Sequence, residues 1–170
     1  MSFLATYTIV HVVISLVGIV SGLIVLAGLL TGKRLNAQTA LFLATTVATS
    51  VTGYGFPFEH VLPSHIVGAI SLVVLALAIY ARYSRHLAGA WRATYVICAV
   101  LALYLNVFVL VVQLFRRVPA LHALAPTQSK PPFGVVQLVV LVLFITLGTL
   151  AVRRSKTIEW SSLNDGARRL

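Results

Sequence analysis

The chain has 170 residues, of which 59% are hydrophobic and 9% charged, with a mean hydropathy of +1.00. Soluble domains carry roughly 25% charged residues, because charge is what covers a water-facing surface, so a soluble globule of this size is excluded. The net charge of +10 does not mark a nucleic-acid partner, because the thirteen Lys and Arg stand in short groups beside apolar runs, as topology determinants and contacts to anionic lipid headgroups do.

A helix crossing a hydrocarbon core of about 30 Å needs roughly 20 apolar residues. The first candidate, Phe3 to Leu30, has no basic segment before it, and Lys33 and Arg34 follow it. A cleaved signal peptide has the reverse order and a shorter apolar core. This segment is therefore expected to stay as a helix with its N-terminus outside. Gly18 and Gly22 form a GxxxG pair on one stripe with His11 and Ser15, a surface that lets another backbone approach closely.

The second candidate, Thr39 to Phe58, is the most polar, with Thr45, Thr46, Thr49, Ser50 and Thr52. Hydroxyls can bond their own helix carbonyls and pack tightly, which predicts an interior position. The third runs from Ser64 to Tyr83, the fourth from Thr94 to Phe115, and the fifth from Phe133 to Val152. No span contains Asp, Glu or Lys, and Arg82 is the only charge within them. The connection Arg116 to Pro132 holds Pro119, Pro126, Pro131 and Pro132 and is expected to be extended or turned. Cys98, the one cysteine, lies in an apolar run and reads as a small buried hydrophobe.

These elements predict an all-α membrane bundle of five transmembrane helices over residues 1–156, followed by a short polar tail, 157–170, in which Trp160 suits an interface. Ten of the thirteen basic residues fall on the side of Lys33, Arg82 and the tail; Arg116, Arg117 and Lys130 fall on the other. Positive residues favour the cytoplasm. The expectation is an N-terminus outside and a C-terminus in the cytoplasm, facing anionic headgroups there, with no nucleic-acid partner and with a homo-oligomer or larger membrane complex as the assembly.

Polar side chains within spans are costly and tend to face partners or cavities. His11, His65, Asn106, Gln113 and Gln137 are the main set. His65, Gln113 and Gln137 fall near the outer ends of their helices, His11 lies about 12 Å inward, and Asn106 is near the midplane. Face spacing lets Gln113 and Gln137 meet across two helices. His11, His65, Gln113 and Gln137 are thus the candidate cofactor-binding layer. Haem b between His11 and His65, or a quinone, is the cofactor such a layer would take; a metal held by Glu59, His60, His65 and His122 is the alternative. Gly18, Gly22 and Asn106 read as packing and interhelical hydrogen bonding. Phosphate-loop, GxSxG and HExxH motifs are absent from the sequence.

The run Ala102 to Phe115, followed by Val118-Pro-Ala-Leu121, Leu124-Ala-Pro-Thr-Gln128 and Pro131-Pro-Phe133, resembles a small, uncharacterised family of bacterial inner-membrane proteins. The resemblance covers the third helix onward; it implies the bacterial cytoplasmic membrane and carries no activity. The expected role is a binding or accessory subunit, tied to haem or quinone chemistry at the outer polar layer. A small transporter or channel-like oligomer and a purely structural subunit are its rivals.

Overall fold

A computed structural model describes the backbone of residues 3–56 and 63–167, with side chains described within 3–56 and 65–155. Glu59, His60, Lys156, Trp160, Arg168 and Arg169 fall outside those side chains. The described residues are helices and turns, with no strand among them. In chain order the helices are α1 (Phe3–Thr31), α2 (Asn36–Gly53), α3 (Pro63–Ile79), α4 (Ala90–Arg117), α5 (Pro119–Leu124) and α6 (Pro131–Ala167), and a π-helical turn, Tyr80–Ser84, ends α3.

Four segments are long and apolar enough to cross a membrane: Phe3–Thr31, His65–Ser84, Ala90–Arg117 and Pro131–Ser155. The second of the five expected spans falls short of that standard. Asn36, Gln38 and its Ser and Thr hydroxyls dilute the apolar content of α2. One further expectation differs from the structure. The proline-rich connection contains α5, because Pro119 occupies its first turn, where the fixed φ and missing N–H suit a helix start. The polar segment after residue 156 continues α6 as far as Ala167.

Paired residues show that neighbouring helices run antiparallel along their whole lengths. Along α1 and α2, a Cβ on Gly28 would touch Leu35, one on Gly22 would touch Phe42, and one on Gly18 would touch Thr45; His11 bonds Thr52. Along α2 and α3, Asn36 meets Arg82, Ser50 meets Ser71, and Tyr54 stacks on His65. Along α4 and α6, Arg92 reaches Ser155, Val100 faces Gly148, Tyr104 packs on Phe144, and Phe115 packs on Phe133. The result is an up-and-down bundle. Its basic end carries Lys33, Arg34, Arg82, Arg85, Arg92, Arg153 and Arg154, and the far end carries His11, Tyr54, His65 and α5.

The core between helices holds Phe42, Leu75, Tyr95, Val96 and Leu103, all nearly inaccessible. Large apolar side chains on α1, α3 and α6 point outward, as lipid-facing surfaces do. Since lipid is as apolar as leucine, close packing and interhelical bonds hold such a bundle together. Gly22 supplies a close approach of α1 to α2 and α4, and the buried α6 stripe of Phe133, Gln137, Phe144, Ala151 and Ser155 follows helical spacing.

Candidate functional site

At the far end, α1, the last turn of α2 and the start of α3 meet. His11 Nδ1 lies 2.8 Å from Thr52 Oγ1, and the Thr52 hydroxyl sits 2.7 Å from the Ala48 carbonyl. The hydroxyl proton goes to that carbonyl, which accepts only. Thr52 Oγ1 is then the acceptor, and His11 Nδ1–H donates. Tyr7 donates its hydroxyl to the Thr52 carbonyl at 2.7 Å. Phe56 meets the rings of both Tyr7 and His11 edge-on, each at 5.1 Å.

Next to this group, Tyr54 stacks on the His65 ring and donates to the His65 carbonyl at 2.7 Å. The two histidines engage different partners. Gly68 admits the Tyr54 ring, since a Cβ there would come within 3.3 Å of it.

The glutamine pair does not form. Gln137 is buried and donates to the Phe108 carbonyl at 3.1 Å, while Gln113 is exposed. The face of α4 that is buried near Asn106 changes along the helix. Toward the far end Val111 and Phe115 turn inward against Ala125 and Phe133, leaving Gln113 outside. The Gln137 Oε1 is buried without a hydrogen-bond partner. Asn106 donates to Thr46 Oγ1 at 3.4 Å, beside Gly18. No group of three His, Cys, Asp or Glu positioned for a metal occurs among the described residues. His122 is exposed on α5, and Glu59 and His60 lie outside the described residues.

The basic end is built differently. Gly32, at φ 75°, ends α1 and lets Lys33 N–H reach back to the Gly28 carbonyl at 2.8 Å, the left-handed cap that glycine adopts without penalty. The chain then carries Lys33 and Arg34 across the end of the bundle. The π-helical turn closes with Arg85 N–H on the Tyr80 carbonyl, followed by two left-handed residues, His86 at φ 50° and Leu87 at φ 58°. Arg82, on this turn, donates to Asn36 Oδ1 at 2.7 Å and lies 5.3 Å from the centre of the Tyr95 ring.

These elements enclose a cavity of about 80 Å³ lined by Lys33, Arg34, Thr39, Arg82, Arg92 and Tyr95, with apolar walls from α1 and α4. A second, larger groove of about 550 Å³ follows the outer α4–α6 seam and is almost wholly apolar. Periodicity did not point to the first cavity, because its residues come from the ends of five separate elements. The one signal for it in the sequence is the interleaving of Arg82, Arg85 and Arg92 with Tyr80, Tyr83, Trp91 and Tyr95. Compared with family models, curated proteins and solved structures, the chain has no match.

Proposed function

We propose that this chain is a five-crossing binding or accessory subunit of the bacterial cytoplasmic membrane, with its N-terminus outside and its C-terminus inside. The observation that carries the reading is the register of α2. At 1.5 Å per residue its 18 residues extend about 27 Å, close to the hydrocarbon thickness. It lies antiparallel to α1 and α3 from Asn36 to Tyr54. Its polar atoms turn inward or bond its own backbone: Thr39, Thr46, Thr49 and Ser50 are buried, and Thr45 and Thr52 donate to carbonyls one turn back. A helix so shielded can cross despite its composition, because lipid sees little of its polarity.

The orientation rests on the basic end, where seven described cations gather against Arg116, Arg117 and Lys130 at the other. Binding rather than bond-making is supported by cavities lying between helices, whereas the far-end polar layer is taken up in joining α1, α2 and α3. Reporter fusions test the topology. Fusions after Lys156 and within Ala88 to Trp91 should read as cytoplasmic, and one within Thr127 to Ser129 as external. An external reading after Lys156 would overturn the odd number of crossings.

A further inference from the structure

Each part of the basic-end cavity has a local reason to exist, yet the assembled lining is incomplete. Lys33 and Arg34 are exposed at its rim, and Arg82 and Arg92 are half-buried in its walls. No described side chain is a carboxylate, since the chain's three acids are Glu59, Glu159 and Asp165. Among the described residues, Arg82 uses one N–H on Asn36, and Arg92 reaches only the Ser155 carbonyl at 3.5 Å. A guanidinium has five donors, so the described residues leave most of theirs unused.

Tyr95 supplies the independent observation. Its residue is 2% exposed and lines the cavity, and its hydroxyl lies within reach of Thr39 and Arg82 but meets hydrogen-bond geometry with neither, nor with any other described residue. A buried hydroxyl left unpaired costs stability unless something else supplies its partner.

We propose that this cavity binds an anionic phosphate group, either the headgroup of an anionic glycerophospholipid or free phosphate. This deepens the reading of the chain as a membrane binding protein and rests on it. Arginine forks match phosphate oxygens in bidentate fashion, and the Tyr95 O–H donates to a phosphate oxygen that accepts. The cavity's 80 Å³ leaves room for a tetrahedral phosphate group among these donors. Its place at the basic end, with Val25, Leu29 and Leu35 in the wall, is where basic pockets between membrane helices meet lipid headgroups.

The test uses the full chain in a neutral detergent. Melting temperature is followed on adding phosphatidylglycerol, diacylglycerol, or inorganic phosphate against chloride at equal ionic strength; native mass spectrometry counts retained lipid. A response to phosphatidylglycerol alone identifies a headgroup site, and a response to inorganic phosphate as well identifies a site for the free anion. Arg92→Gln should weaken binding roughly tenfold, and Arg34→Gln, at the exposed rim, should weaken it less without disturbing the fold. Tyr95→Phe should leave the ligand-free protein as stable or more so while weakening binding several-fold, a split that a packing role would not produce. Equal responses to diacylglycerol and phosphatidylglycerol with none to phosphate, or unchanged affinity in both Arg92→Gln and Tyr95→Phe, would overturn the proposal. The reporter fusions are read separately, so failure of the topology and failure of the site are distinguishable.

Discussion

Gly22 of α1 faces Phe42 of α2 across a gap that no side chain can enter: a Cβ on Gly22 would stand 2.8 Å from the Phe42 ring and 2.6 Å from Leu103 Cδ1. Gly22→Leu should therefore force α1 away from both α2 and α4. Overpacking of this kind costs about 1–3 kcal/mol, so its thermal midpoint in detergent should fall clearly. Gly134→Ala is the control, because a Cβ there meets nothing within 4 Å. Equal midpoints for the two variants would place Gly22 on a lipid face.

The His11–Thr52 bond should be measurable as a coupling between helices. His11→Ala and Thr52→Val, alone and together, form a double-mutant cycle. Interhelical bonds in membranes average about 0.6 kcal/mol and reach about 1.7, and the coupling should fall in that range. Strict additivity would mean that the two residues do not bond.

His86 holds a left-handed conformation, φ 50°, at the end of the π-helical turn. An L-residue pays roughly 1–2 kcal/mol there, and His86 is exposed. His86→Gly should raise stability by about 1 kcal/mol, visible as a higher melting temperature. A loss of stability would show that the side chain holds the turn by contacts of its own.

Gln137 buries an amide with one bond made and its Oε1 unpartnered. Gln137→Leu removes the bond and the orphaned oxygen together, so its effect on thermal stability should stay within about 1 kcal/mol. Gln137→Glu, which buries a carboxylate in place of the amide, should be far more damaging at neutral pH. Equal damage from both would mean that the bond to the Phe108 carbonyl is critical.

The four most apolar helices were legible because span length and absence of charge define them without tertiary knowledge. The hydroxyls of α2 suggested an interior helix; it hides Thr39, Thr46, Thr49 and Ser50 on one face but leaves Leu41 and Val51 exposed, and α4 is the more buried helix. What was not legible came from packing. Gln113 and Gln137 share favourable faces on paper, but α4 changes neighbours between Asn106 and Phe115. Pro119 was read as a breaker although a first-turn proline starts a helix. Lys33, Arg82, Arg92 and Tyr95 lie up to about sixty positions apart, and only the antiparallel hairpins bring them to one end.

The most direct measurement places one cysteine before α2 in the chain and one after it. In a Cys98→Ser background, Arg34→Cys and Glu59→Cys are exposed in intact cells to a membrane-impermeant maleimide. An α2 that crosses puts them on opposite sides: Glu59→Cys labels at once, and Arg34→Cys labels only after the membrane is permeabilised. Labelling of both from outside, or of neither, would contradict a five-crossing bundle.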